Sequence, residues 1–415
     1  SLLVSSQLLA GEQKGDTDGF VPMFNGRDLS GWVNVNCAPS TFYVKDGEII
    51  TTGKPTGYLR TAKQYENFIA DFEWMHVPSS PGAVSNSGFF VWADPIPAVG
   101  TGYSRGIEVQ VLVNLEYKDK KTGAVTATSQ GDLFSIWGAT CKPDRPHPLG
   151  WARCLPSENR AKGANEWNHY RVTANNGVIK LEVNGKEVSG VSECKPRKGY
   201  LALESEGSEC HFRKLKIKEL PSTNPRPDEV ADADKGFRHL YTGLDLSGWK
   251  ADEEAKKHWK PSDWRLVCDS KGRGNDLLSE NEFSDYELVV DWKTPAVKDK
   301  DRGAYTGVVL RKAEGRLFIL AITADGQVTM GSLPEEPGAP FPPSVTRVKE
   351  VKPPGQWNRT VVTLTGDTLG ATLNGQRILE GVKVEKLPAK GPVGLIHAAI
   401  PVEYANVMVR EVKKE

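Results

Sequence analysis

Tyr170–Val183 reads YRVTANNGVIKLEV. Apolar and polar residues alternate on both sides of Asn-Asn-Gly, the pattern of two antiparallel strands folded back through a tight turn. Asn184-Gly185 supplies the next turn. Thr360–Leu373 (TVVTLTGDTLGATL) has the same form and turns at Thr365-Gly366-Asp367. Strands at regular intervals, without helical periodicity between them, point to a β-sandwich or jelly roll and not to alternating β/α units.

Other segments also recur in order. Phe24–Trp32 (FNGRDLSGW) is echoed by Tyr241–Trp249 (YTGLDLSGW), and Phe68–Trp74 (FIADFEW) by Tyr286–Trp292 (YELVVDW). Trp167-Asn168 leads to Asn184-Gly185 as Trp357-Asn358 leads to Asn374-Gly375, and Gly199–Ile217 parallels Gly391–Val409. Ordered self-similarity of this kind makes the second half a divergent copy of the first. Between the copies, Pro221–Lys235 carries three prolines and many charges without an apolar run, a composition suited to an exposed, semi-stiff linker. The expected organisation is therefore a leader or disordered start over 1–19, a jelly roll over 20–220, a linker over 221–235 and a second jelly roll over 236–415.

The 415 residues suffice for two domains, each with its own core. Lys+Arg 53 balances Asp+Glu 53, so bulk charge favours neither nucleic acid nor an anionic membrane as partner. No apolar run is long enough for a membrane-spanning helix. Ser1–Gly11 (SLLVSSQLLAG) reads as the tail of a signal peptide's apolar segment followed by small residues, or as a disordered end. Cys141 with Cys154, and Cys194 with Cys210, are spaced to staple loops. That spacing, like the leader, leads us to expect export to the periplasm or beyond. Buried free thiols are the alternative. No CxxC pair is present, which argues against a zinc ribbon or a redox motif.

The opening FNGRDLSGW, the FEW strand, Asn86-Ser87-Gly88 read as a turn, Glu108-Val109-Gln110, Glu166-Trp167-Asn168 and the closing His211–Leu220 (HFRKLKIKEL) together resemble the 3-keto-disaccharide hydrolase family. The resemblance covers residues 20–220 closely and 236–415 in outline. It implies an all-β, concanavalin-A-like jelly roll in each copy, and an exported protein that cleaves glycosides whose glucose unit carries a ketone at carbon 3. The sequence shows no dinucleotide fingerprint, so the oxidised mono- or disaccharide is expected to come from another protein, a separate sugar 3-dehydrogenase. A ketone at carbon 3 acidifies the hydrogen on carbon 2. Cleavage then needs a base, a donor for the enolate oxygen and an acid for the leaving group.

In Ile107–Val113 (IEVQVLV) the side chains alternate across the sheet. Ile107, Val109, Val111 and Val113 face a core, while Glu108 and Gln110 share the other face. That face is either solvated or the lining of a cleft; with the resemblance, Glu108 is the candidate base and Gln110 a substrate contact. Asn86 offers an amide to sugar hydroxyls or to the ketone, or is merely a strand-entry residue. Arg105 could stabilise an enolate or be a surface cation. Glu204 and Glu206, two apart in LALESEG, fall on one strand face. With His211 they suggest an acid/base group, a site for a hard divalent cation such as calcium, or a plain charged edge. Trp137 could stack on a sugar ring, with core packing as the alternative. Lys142 and His147 lie in a Pro-rich loop that could rim the cleft.

The second copy is expected to lack these groups. Tyr305 stands for Asn86, Leu317 for Glu108, Ile319 for Gln110, and Ile396 and Ala398 for Glu204 and Glu206. The first copy is thus the candidate catalytic domain, the second a packing or ancillary binding unit. A lectin-like module without turnover, or a structural spacer, competes with the enzyme reading, because a jelly roll does not fix function.

Overall fold

The computed structural model describes residues 18–269, 276–295, 305–335, 340–397 and 400–412. The leader segment up to residue 17 and Ala398 lie outside the described residues. Among these, the first sandwich pairs a nine-stranded with a seven-stranded sheet, and the second an eight-stranded with a seven-stranded one. The fold is two tandem all-β jelly-roll sandwiches. Among the described residues, helix is confined to single turns, Pro227–Glu229 and Ala255–His258. No helix among the described residues is long and apolar enough to cross a membrane.

The hairpin read from Tyr170–Val183 forms as its alternation requires. Asn168–Asn175 pairs with Val178–Val183, and Tyr170 lies opposite Val183. Asn176 and Gly177 both take positive φ, the two-residue turn whose twist matches the strands it joins. The recurring Trp-Asn…Asn-Gly spacing also has a structural cause. Asn184 Nδ2 donates to Asn168 Oδ1 at 3.0 Å, and Asn374 Nδ2 to Asn358 Oδ1 at 2.9 Å. Each pair ties a turn to a strand entrance. Ile107, Val109, Val111 and Val113 enter the first core with Phe72, Trp74 and Tyr170; Leu288, Trp292, Leu320 and Tyr404 build the second.

Three expectations need correction. Asn86-Ser87-Gly88 is not a turn but lies inside the strand Ser85–Ala93, because Ser87 and Gly88 are buried between neighbouring strands. Pro221–Lys235 is mostly exposed, as its composition suggests, but it is not a detached tether. It is strapped to the first sandwich: Asn67 Nδ2 donates to Pro221 O at 2.7 Å, Arg197 Nε to Glu229 Oε2 at 3.1 Å, and Arg60 Nη2 to Asp234 Oδ2 at 2.7 Å. The third concerns the cysteines: Cys141, Cys154, Cys194 and Cys210 are all free thiols. Cys194 and Cys210 sit on strands of one sheet with three strands between them, roughly 19 Å at the usual strand spacing, far beyond disulfide reach. Cys154 contacts Arg145 Nη2 at 3.4 Å, and Cys141 donates to Ala152 O at 3.5 Å. The disulfide argument for export therefore falls away.

The sandwiches meet through the loop that joins Ser85–Ala93 to Gly106–Val113. Asp291 Oδ2, in the second sandwich, accepts from Gly100 N at 2.8 Å. Arg359 Nη2 donates to Pro97 O at 3.0 Å, and Asn406 Nδ2 to Thr101 O at 3.1 Å. Gly100 is required here: it holds positive φ, and a Cβ would lie 2.0 Å from the Trp357 ring.

Candidate active site

The outer face of the first sandwich's seven-stranded sheet carries a buried polar cluster. Ser85–Ala93 lies between Gly106–Val113 and Tyr200–Ser205, with Gly88 opposite Gln110 and Phe90 opposite both Glu108 and Ala202. This register sets Glu108 and Glu204 on either side of Gly88. A Cβ at Gly88 would come within 2.9 Å of Glu108 Oε1 and 3.0 Å of Glu204 Oε2. Only glycine leaves room for two carboxyl groups to close over the central strand.

Around them the polar atoms interlock. Gln110 Nε2 donates to Asn86 Oδ1 at 2.8 Å and lies 3.4 Å from Glu108 Oε1. Asn86 Nδ2 donates to Glu206 Oε2, and Tyr103 OH donates to Glu206 Oε1 at 2.8 Å. Arg153 Nη2 donates to Gln110 Oε1 at 3.0 Å, while its Nε is paired with Asp132 Oδ2 at 2.7 Å. Glu108 is 6% exposed and Glu204 1%. Burial, then the neighbouring Glu206 charge, pushes the Glu108 carboxyl up to about 8, against the pull of Arg153. Burial, then the charges of Glu108 and Glu206, raises Glu204 well above the carboxylate range. Neither Glu204 oxygen finds an ordinary hydrogen-bond donor, so its neutral form, sharing its proton with Glu206, is the physically sound state. Burial also raises Glu206 and the Tyr103 hydroxyl, which stays a donor.

Asn86, Gln110 and Arg153 open onto a cleft of about 700 Å³. Its far wall includes Lys118, Lys121 and Trp151. Trp151 stacks on His147 with centroids 4.8 Å apart. On the other flank Trp137 is 52% exposed and stacks on Tyr103, with centroids 6.0 Å apart. Trp137 is thus a surface ring and not a core residue.

Other candidates sit elsewhere. His211 lies on the nine-stranded sheet, its Nδ1 2.8 Å from Glu48 and its Nε2 2.7 Å from Glu209. The chain crosses to the opposite sheet between Ser205 and Glu209, so His211 and Glu206 do not meet. Lys142 is on the edge of that same sheet, 3.3 Å from Glu193. Arg105 is held bidentately by Asp94, at 2.7 and 2.8 Å, which already neutralises it. His147 is buried rather than free on a rim, with its Nε2 3.0 Å from Thr126 O. Among the described residues Glu108, Glu204 and Glu206 do not gather into a cation-sized ligand group, and a buried calcium ion would need six or more oxygens. Tyr103, Asp132 and Arg153 were missed: each lies outside the long alternating strands, and only its charge or ring would have drawn notice.

The family model described as a 3-keto-alpha-glucoside-1,2-lyase-like domain matches residues 19–218 and again 236–410. The chain belongs to this 3-keto-alpha-glucoside-1,2-lyase-like family. A carbohydrate-active role follows from that membership. Among solved structures, a candidate glycosyl hydrolase from Parabacteroides distasonis is 22% identical, with 49% of this chain and 95% of that one covered and a TM-score of 0.37. A second from the same organism is 19% identical, covers 48% and 99%, and scores 0.33. A carbohydrate-binding module from Bacillus subtilis is 9% identical, covers 46% and 96%, and scores 0.32. No curated protein matches the chain. The assignment rests on the family match.

Within the 3-keto-alpha-glucoside-1,2-lyase-like pair, the second copy keeps the register but not the polar side chains. Val308 lies opposite Leu320 and Leu395 as Phe89 lies opposite Val109 and Leu203. Glycine persists, Gly307 for Gly88. Tyr305 stands for Asn86 and Ile396 for Glu204, as the sequence suggests. Glu108 corresponds to Ile319 and Gln110 to Ala321, two residues beyond Leu317 and Ile319, because the connection before the Arg316–Thr323 strand is shorter. These residues form an apolar cluster with Leu278 and Val309, and Phe341 stacks on Tyr305 with centroids 4.7 Å apart.

Proposed function

We propose that the first sandwich cleaves 3-keto-glycosides by proton abstraction, elimination and hydration, and that the second sandwich is non-catalytic. The observation that carries this reading is the pair of buried carboxyl groups, Glu108 and Glu204, set across Gly88 with amide and guanidinium donors beside them. Glu108 takes the carbon-2 hydrogen of a sugar whose carbon-3 ketone faces the cleft. A base with its proton affinity raised toward neutrality suits a weak carbon acid. The enolate oxygen that forms is stabilised by amide and guanidinium N–H donors of Gln110, Asn86 and Arg153, with Asp132 holding the Arg153 guanidinium in place. The enolate re-forms the ketone as the carbon-1–oxygen bond breaks, and the leaving oxygen receives the proton that Glu204 and Glu206 share, with Tyr103 orienting Glu206. Water then adds across the carbon-1–carbon-2 double bond: its oxygen joins carbon 1, Glu108 returns its proton to carbon 2, and the proton lost by the water restores the Glu204–Glu206 pair. The net result is hydrolysis without an oxocarbenium step.

An oxidising enzyme of the sugar 3-dehydrogenase class would have to supply the substrate. Export to the periplasm or beyond would suit a protein that acts on such sugars. The test follows aglycone release from a 3-keto-glucoside in deuterated water. Wild type should release aglycone, take up deuterium at carbon 2 and leave the unoxidised glycoside intact. Equal cleavage of both sugars would refute the reading in favour of an ordinary glycosidase. Binding without release would make the cleft a lectin-like site.

A further inference from the structure

We propose that the second sandwich holds a zinc ion between His258, Asp269 and His397, away from the carboxylate cluster. These residues each bring one ligand atom into a group whose members all lie within 4.8 Å of one another. Three separate elements supply them. His258 ends the helical turn Ala255–His258, Asp269 follows the strand Arg265–Cys268, and His397 follows the strand Gly391–Leu395. His258 turns Nδ1 to Asp269 Oδ1 at 3.0 Å and Nε2 to Glu254 Oε1 at 3.6 Å.

The independent observation is His397. It is 5% exposed, and neither ring nitrogen has a hydrogen-bond partner. Its ring packs 5.3 Å from that of His258 and 6.2 Å from that of Trp259. An imidazole buried with both nitrogens unsatisfied costs free energy that an apolar residue would avoid. A bound cation removes that cost. The first sandwich shows that the fold itself does not demand such residues. By strand register its corresponding positions are Thr41, Thr52 and Ser205. There each hydroxyl donates to the backbone of the adjoining loop: Thr41 and Thr52 to Lys54 O, and Ser205 to Pro55 O, all at 2.9 Å. Two neutral imidazoles and one carboxylate form a set suited to zinc, with bonds of about 2.0–2.2 Å and room for a fourth ligand. Hard cations such as magnesium or calcium prefer all-oxygen sites.

The test begins with full-length protein stripped by a chelator and titrated with zinc. Wild type should bind one equivalent and melt about 5–10 °C higher at zinc a hundredfold above its Kd. His258→Ala and His397→Leu should each lose that equivalent. In chelator, His397→Leu should melt at or above wild type, because it deletes two unsatisfied buried nitrogens; with zinc the order should reverse. Glu108→Gln should bind zinc as wild type does. A wild type that neither binds nor gains stability overturns the site. So does retention of zinc by both histidine variants, or its loss in Glu108→Gln.

Discussion

A glutamate in an open environment ionises near pH 4.5; Glu108 is held up to about 8 by burial and by Glu206. Two expectations follow at the scale of this one residue. Glu108→Gln should keep its reach toward Gln110 but lose proton transfer, lowering turnover of a 3-keto-glucoside by about 10²–10⁴ with KM little changed. Steady-state kinetics on the purified variant decide it, and wild-type turnover would transfer the base role to Glu206. The second expectation is a pH dependence with a definite sign. The folded chain keeps the Glu108 proton where the unfolded chain has released it. The stability contributed is thus complete below about pH 4.5 and is lost as pH rises toward about 8. Melting temperatures of wild type and Glu108→Gln across that window should diverge, with the variant holding up better at the upper end. Activity should run the other way, rising as Glu108 ionises.

Strand register turns separate carboxylates into a site, and Gly88 is where it does so. In Gly88→Ala the new Cβ would meet only carboxyl ends and the Glu108 Cγ, groups that can swing aside. The variant should fold with near wild-type stability, yet the displaced carboxylates should cost about 10²-fold in turnover, the usual result of misplacing reacting groups by an ångström. Gly307→Ala is the matched contrast. Its Cβ would lie 2.2 Å from Leu320 O, a backbone atom that cannot yield, so thermal melting should drop while the first sandwich's chemistry is untouched. Opposite outcomes would mean that Gly88 serves packing alone. Element-scale features were largely legible in the sequence. Ile107–Val113 shows its two faces because side chains alternate, but reading the Glu108 and Gln110 face as a cleft takes the family resemblance, and Glu204 joins it only from another strand. His211 and Lys142 were misplaced because strand alternation does not say which sheet a strand joins.

At the scale of the whole molecule, the second sandwich grips the loop that carries Tyr103. Asp291 is fully buried and receives Arg359, Asn406 and the Gly100 backbone at once. Asp291→Asn should loosen that grip, and with it the Tyr103–Glu206 contact, lowering turnover about tenfold while Glu108 is unaltered. A residue range of 20–222 made alone should show the same defect, although every carboxylate is present. Full activity in both would mean that the second sandwich does not position the loop.

The sequence by itself determined the strands, their turns, the doubling of the fold and the polar face of Ile107–Val113, because periodicity and turn chemistry are local. Only the tertiary structure decided that Glu108 and Glu204 share Gly88, that Arg153 and Tyr103 join them, that His211 does not, and that the four candidate cysteines stay unbridged. Those outcomes depend on sheet order, on register between distant strands and on loops packed across two domains, and chain spacing encodes none of these distances.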